Sequence, residues 1–301
     1  MNAVPPVRLR VAGITIAASC LTEDWAWTDR SRLEAFLSGD EPDVAFRVHV
    51  GPPGQSVPVG DLVHSLEGLR NVYVDEKTWA FEFCPYMRKT YPQRPPHQIL
   101  RFDRRFTAGD LFLLIEVDSE QPTLRFGLFL PELLTGMLPF HHGIMVHSSG
   151  VSDEGTGIVF AGPSGAGKST MARLWAEHAG VRVLNDDRVI LRRNGRRWWA
   201  YPVPGVGEPR QGSPDGVALE ALFLLSQADE NAAMPMNQGR AASSLLPHIS
   251  LPSYDGAAVG SVLRLLHELV NEVPIYELGF LPDQTAVSLV REVVGQRDVL
   301  E

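Results

Sequence analysis

Cysteine is almost absent from this chain. Cys20 and Cys84 are the two thiols in 301 residues. They stand far apart, without metal-ligand spacing, so a disulfide framework and a zinc-type site are excluded. Two thiols used for packing in a reducing compartment are the expectation. Long hydrophobic runs are lacking too: no stretch reaches the roughly 18 apolar residues of a membrane-crossing helix. Arg8 and Arg10 followed by Val11–Cys20 loosely resemble a secretory or lipoprotein signal, but that run is short, holds Thr15 and starts after two prolines. A first strand of a folded domain is the better reading. Positive charge is in deficit, with 27 Lys and Arg against 36 Asp and Glu and a net charge of −9. There is thus no global electrostatic case for a nucleic-acid or membrane partner. Internal repeats and low-complexity tracts are missing as well. What remains is an ordinary cytoplasmic composition, 44% apolar and 21% charged, long enough for one large or two ordinary domains.

What the chain does have is Gly162-Pro-Ser-Gly-Ala-Gly-Lys-Ser-Thr170, which fits the phosphate-loop pattern G-x-x-x-x-G-K-[ST] at every fixed position. Thr156–Ala161 before it reads as a buried strand, and Met171–His178 after it reads as a helix. Strand, glycine-rich loop and helix in that order are the context the motif requires. Gly162, Gly165 and Gly167 would let backbone N–H groups turn toward phosphate oxygens, and the helix N-terminus adds partial positive charge. Pro163, Ser164 and Ala166 complete the cradle, Lys168 would reach the β- and γ-phosphates, and the Ser169 hydroxyl would ligate Mg²⁺.

Residues 1–127 read as a smaller α+β domain. Val7–Ala18 is expected as a strand, Trp25–Leu37 as a helix, and Val44–Val50 as a half-buried strand by its period of two. Short strands are expected at Asn71–Val74, Thr78–Phe83, Gln98–Asp103, Leu111–Val117 and Thr123–Gly127, which suggests an antiparallel sheet. His49, His64 and His97 are isolated, and surface or packing is the commoner role for each. Tyr86, Arg88, Lys89, Tyr91 and Arg94 form a basic-aromatic stretch that fits a solvated loop better than a grip for an acidic substrate.

Residues 128–301 read as the second domain, opened by a helix over Leu128–Phe140. A strand containing Ile144 and Val146, a turn at Asp153-Glu-Gly155 and the strand before the loop make a hairpin, unlike the helical crossovers of an all-parallel sheet. Val181–Asp187 is an apolar strand ending in carboxylates. Val189–Arg193 and Arg196–Val203 flank Asn194-Gly195, the signal of a type I′ hairpin. Its Arg192, Arg193, Arg196 and Arg197 suit a solvated tip first and a clamp for an acidic peptide or phosphate second. The Gly/Pro-rich loop Pro204–Pro214 holds Glu208 and Arg210. Ser226–Pro235 is expected as a loop or lid, Arg240–Leu246, Gly256–Asn271 and Thr285–Val294 as helices, and Val217–Leu225 and Val273–Leu278 as strands.

From His147 to Asp187 the chain resembles the HPr kinase/phosphorylase family and its serine-kinase relatives, which share a fold with ATP-dependent phosphoenolpyruvate carboxykinase. His147 before the loop, the Gly-x-Ser-Gly-x-Gly-Lys-Ser form of the loop, and the Asp186-Asp187 pair on the next strand carry the resemblance. It covers roughly residues 140–225. The fold it implies is α/β, a phosphate-loop kinase core with a mixed sheet, preceded here by the smaller α+β domain. The activity it implies is ATP- and Mg²⁺-dependent transfer of the γ-phosphate to a hydroxyl, serine above all. By the same resemblance Asp186 would be the base, Asp187, Ser169 and Glu208 would hold Mg²⁺, His147 would donate to a phosphate oxygen or orient the pair, and Arg210 would hold the transferred phosphate. A coupled acidic pair titrates jointly, so the base can belong to both carboxylates.

Two departures bear on the substrate. Thr170 stands where the family has Glu, and Pro204-Gly-Val-Gly-Glu-Pro-Arg-Gln-Gly stands where the true HPr enzymes carry their own signature. HPr and the phosphate-driven reverse reaction are therefore not implied. The layout is more similar to the HPr-kinase-like proteins that modify peptides, including lasso-peptide kinases, so a peptide or protein substrate is expected. A small hydroxylated metabolite is the second candidate acceptor, and a non-catalytic nucleotide-binding regulator is the alternative class. A homo-oligomer is in keeping with relatives of this fold.

Overall fold

Val44, Phe46 and Val48 are buried while Ala45 and Arg47 between them are exposed, the alternation of a strand with one face on a core. The computed structural model describes residues 6–20, 26–27, 30–52, 57–66, 70–83, 98–114, 123–124, 126–205 and 213–296. The chain divides between Met137 and Leu138 into two compact units, with Val11–Gly13 going with the second. Both units are mixed α and β, each with a mixed sheet. No helix of the described residues is long and apolar enough to cross a membrane.

The first unit holds β1 (Val7–Val11), β2 (Ile14–Cys20), β3 (Ala26–Trp27), α1 (Arg30–Leu33), β4 (Val44–Gly51), β5 (Asp61–Leu66), β6 (Arg70–Val74), β7 (Thr78–Phe83), β8 (Gln98–Asp103), β9 (Ala108–Leu114), β10 (Thr123–Leu124) and α2 (Phe126–Met137). Its main sheet runs β1-β2-β4-β9-β8-β7-β6-β5, and β10 pairs with β3. The strand expected over Val7–Ala18 is two strands, because Ala12 and Gly13 both take positive φ (52° and 73°) and turn the chain as a type I′ hairpin does. The sheet is antiparallel from β9 to β5 but parallel across β2, β4 and β9, where an antiparallel arrangement is expected throughout. The reason is the connection from β2 to β4: it carries α1 and is long enough to bring the chain back in the same direction. The helix expected over Trp25–Leu37 shortens to α1 and a 3₁₀ turn at Glu34–Phe36. β5 has no sequence signal because it is an edge strand exposing Leu62, Val63 and Leu66. Phe129 of α2 packs edge-on to Phe46 of β4 at 5.6 Å, so the helix expected to open the second domain contributes to the first unit's core.

The second unit holds β11 (Gly143–Val146), β12 (Ser148–Asp153), β13 (Thr156–Ala161), α3 (Lys168–Ala176), β14 (Val181–Asn185), β15 (Val189–Asn194), β16 (Arg197–Pro202), β17 (Val217–Gln227), β18 (Ala232–Pro235), α4 (Gln238–Leu245), α5 (Gly256–Glu272), β19 (Ile275–Phe280) and α6 (Gln284–Gly295). The strand order is β11-β15-β16-β17-β13-β12-β14, with β19 on β17 and β18 on β19. β13, β17 and β19 are parallel, while β12 runs antiparallel to β13, so the expected hairpin forms from Ser148 onward. Ile144 and Val146, expected in the same strand, belong instead to β11, which the break at His147 sends to pair with β15. Both faces of this sheet are covered. Ile158, Phe160, Ala221 and Phe223 pack with Met171 and Trp175 of α3 and Val287 of α6. Val159, Ala161, Leu222 and Leu224 pack with Leu245 of α4 and Leu265 and Leu269 of α5. A strand buried on both faces reads as a continuous apolar run, which is why β13 and β17 stand out in the sequence.

Two local expectations change here. Gly195 and Arg196, not Asn194 and Gly195, are the central turn residues, since Asn194 pairs with Arg197. Gly195 has φ 63° while Arg196 has no positive φ, so the turn follows the type II′ pattern with glycine first. Ser226–Pro235 is not an open loop throughout: its end is β18, paired to β19.

Candidate functional site

β13 ends at Ala161 and α3 begins at Lys168, so the glycine-rich segment is the whole connection between a buried strand and a helix. Gly167 is the N-cap residue of α3, with φ 106°, and a Cβ there would lie 2.5 Å from Phe280 Cζ. Backbone handedness and the Phe280 ring together require glycine. The loop closes on itself through the Ala166 N–H donating to Pro163 O at 3.1 Å, and Gln227 Nε2 donates to Gly165 O at 3.0 Å. A Cβ on Gly165 would meet nothing, so the loop is open to the surface there. No side chain caps α3. The first N–H groups of a helix have no partner within it, and the positive end of the helix dipole adds to them.

Lys168 is buried, with 7% of its surface exposed. Its ammonium donates to Gly162 O at 2.7 Å and Pro163 O at 3.0 Å. Burial pushes its pKa below the usual lysine range, and the nearby Asp187 charge partly offsets that. Buried Ser149 donates from Oγ to Lys168 O at 3.0 Å, fixing the start of α3 against β12. Of the remaining loop residues, Pro163, Ser164 and Ser169 are exposed, Thr170 is half-buried and Ala166 is buried.

The acidic pair follows β14. Buried Asn185 accepts at Oδ1 from the backbone N–H groups of Asp187 (2.8 Å) and Arg188 (3.1 Å) and donates from Nδ2 to Val203 O (3.1 Å). This side-chain-built turn sets the direction of the pair. Asp187 Oδ1 lies 3.4 Å from His147 Nδ1, and Asp187 Oδ2 lies 3.4 Å from Arg188 Nε. The Ser148 N–H donates to Asp187 O at 3.1 Å, which holds the pair beside the break between β11 and β12 where His147 sits. Asp187 thus carries the contact to His147 and an electrostatic coupling to Lys168. Asp186 is half-buried next to it.

His147, Lys168 and Asp187 are therefore brought to one place from three separate elements. Glu208 and Arg210 lie outside the described residues, as do His97, Cys84 and the stretch from Tyr86 to Arg94. Among the described residues no group of three or more His, Cys, Asp or Glu forms a metal cluster. The arginine hairpin is partly committed elsewhere: Arg193 pairs with Glu272 at 2.8 Å and Arg192 donates from Nε to His141 O at 2.8 Å, leaving Arg196 and Arg197 at the exposed tip. His49 Nε2 donates to Asp110 Oδ1 at 2.7 Å and its ring stacks on Phe112, a packing role.

One neighbour was not legible. His248 sits in a 3₁₀ turn (Leu246–His248) after α4, and its carbonyl accepts from the His147 N–H at 2.7 Å. Burial, then Lys168, then His147 push its pKa below the usual histidine value. Nothing in Leu246-Pro-His248 marks it in the sequence; only a long-range backbone bridge puts it here.

Residues 134–279 match the family model described as SynChlorMet cassette protein ScmC. That span takes in the glycine-rich loop, His147, the acidic pair and His248. The solved structure of the Hpr(Ser) kinase/phosphatase from Coxiella burnetii is similar at 10% identity with a TM-score of 0.29, covering 52% of this chain and 96% of that one. No curated protein matches the chain. At those values the site has to be read from its own residues.

Proposed function

We propose that the second unit is an ATP- and Mg²⁺-dependent kinase that transfers the γ-phosphate to a hydroxyl, a serine of a peptide or protein being the acceptor. The observation that carries this is the meeting of the buried Lys168 ammonium and the His147–Asp187 contact at the uncapped N-terminus of α3. The residues fit a phosphate chain. An open glycine loop, the uncapped first N–H groups of α3 and a desolvated cation hydrogen-bonded to loop carbonyls, with Asp187 as its neighbouring anion, form an electropositive cradle.

The roles follow from what phosphoryl transfer needs, which is positioning and charge neutralisation. Backbone N–H groups of the loop and α3 hold the phosphates, and Lys168 turns its ammonium from Gly162 O toward them. Ser169 and the Asp186–Asp187 pair are the oxygen donors for Mg²⁺, which when bound neutralises phosphate charge. Asp187, oriented by His147, takes the proton of the attacking hydroxyl. The pair shares that task to the extent that its titrations are coupled.

The test is transfer from γ-labelled ATP with Mg²⁺, offered no acceptor, free serine, or serine-containing peptides, with the wild type and Asp187→Asn. Label on a peptide, lost in Asp187→Asn while ATP still binds, supports the reading. Label on free serine alone moves the acceptor to a small metabolite. ATP binding with no transfer by either protein overturns it in favour of a nucleotide-binding protein without turnover.

A further inference from the structure

His248 belongs to the phosphate site by the register of its backbone. Val146 of β11 and Ile249 form an antiparallel bridge, flanked by the His147 N–H donating to His248 O at 2.7 Å and the Ser250 N–H donating to Met145 O at 2.8 Å. The bridge ends there, because His248 closes the 3₁₀ turn Leu246–His248, but the 2.7 Å backbone bond sets the two histidines side by side. Val146 and Ile249 pack into the core behind the sheet, while the His248 ring lies within electrostatic reach of Lys168 and His147. His147 in turn meets Asp187.

Resting on the kinase reading of this site, we infer that His248 is a second imidazole of the transfer site, which stands beside His147 and donates a hydrogen bond to the phosphoryl group being moved. Burial first, then the Lys168 charge, then His147 hold its pKa below the usual histidine value, which favours the neutral ring with one N–H to donate and one lone pair. A neutral donor suits this place because it leaves the charge balance among Lys168, Asp187 and the metal unaltered. The ligand class is the terminal phosphate of a nucleoside triphosphate.

The experiment has two arms on the full chain. Histidine side-chain NMR, with and without Mg²⁺ and a non-hydrolysable ATP analogue, reads contact without needing turnover. His248 is assigned from the signal missing in His248→Gln or in His248→Asn, whichever folds. The His248 ring should shift with the analogue, while exposed His267 of α5 and His49 of the first unit stay still. In the second arm, labelled-ATP transfer by His248→Ala should fall about 10- to 100-fold in kcat, with KM for ATP changed less than about threefold. His248→Gln, which keeps a donor, should recover part of the loss. A His248 ring that moves no more than His267, or a His248→Ala kcat within about twofold of wild type, overturns the inference. A ring that shifts in a wild type without transfer leaves His248 as a phosphate contact and removes the kinase reading instead.

Discussion

The Nδ1 of His147 lies 3.4 Å from Oδ1 of Asp187, and the two reach each other from different turns of the chain. His147 occupies the break between β11 and β12, while Asp187 follows β14 and is oriented by the Asn185 turn. Both backbones are pinned, His147 by His248 O and Asp187 by the Ser148 N–H. On the kinase proposal, a carboxylate fixed this way is suited to take a proton from an incoming hydroxyl.

Asp187→Asn should therefore lower phosphate transfer by at least about 100-fold with ATP affinity nearly intact. Asp186→Asn should cost less in kcat and should raise the Mg²⁺ concentration needed for half-maximal rate. Parallel kinetics over a Mg²⁺ series separate the two, and equal losses in both variants would mean that the pair acts as one unit.

Lys168 combines burial with carbonyl partners only, so it is a site where function and stability oppose each other. Lys168→Met removes a desolvated charge and keeps the volume of the stem. ATP affinity should fall at least about tenfold, a loss of about 1.4 kcal/mol, while the thermal midpoint stays equal or rises. Calorimetry of binding and of unfolding on the same samples reads both. A clear drop in midpoint would show that the ammonium is a net stabilising group.

Gly167→Ala meets two separate obstacles, a φ of 106° and the Phe280 ring 2.5 Å from the new Cβ. It should destabilise the second unit by about 1–3 kcal/mol and weaken ATP binding. Adding Phe280→Leu should restore the steric share only, because the backbone strain stays. Complete recovery in the double variant would assign the whole effect to the ring.

The depressed pKa of His248 has a consequence for stability. Above the ordinary histidine value of 6.5 the ring is neutral in folded and unfolded chains alike, so it adds no pH dependence. As the pH falls below that value the unfolded chain takes up the proton first, and stability is lost until the folded ring protonates too. Urea midpoints measured from pH 7.5 to 5.5 should fall, and the fall should be smaller in His248→Gln.

Asp153 and Arg291 give a prediction away from the site. The guanidinium donates from Nε at 2.8 Å and from an η nitrogen at 2.9 Å to the two carboxylate oxygens, tying α6 to the β12–β13 hairpin. A double-mutant cycle with alanine at both positions should return a coupling of about 1 kcal/mol, reduced by the partial exposure of the arginine and by added salt.

Much of this protein could be read locally. The strand, glycine loop and helix at Thr156–Ala176, the β12–β13 hairpin, and strands β7 and β8 to the residue follow from contiguous signals of period, turn chemistry and motif. Helices α5 and α6 were legible for the same reason, with Asp255 and Asp283 capping them through their side chains. Features that depend on pairing between distant segments were not. The parallel run β2, β4 and β9 depends on a crossover direction, and the Gly195–Arg196 turn on a register one residue from the Asn-Gly signal. Edge strand β5 lacks the alternation that a buried face would impose.

The site divides along the same line. By itself the sequence determined the glycine loop between β13 and α3, because its residues are consecutive and its turn chemistry is local. Only the tertiary structure decided which carboxylate faces His147 and that a second histidine stands beside it. Those choices depend on the Asn185 turn and on the Val146–Ile249 bridge, contacts made when sheet and helices pack, for which no local pattern is required.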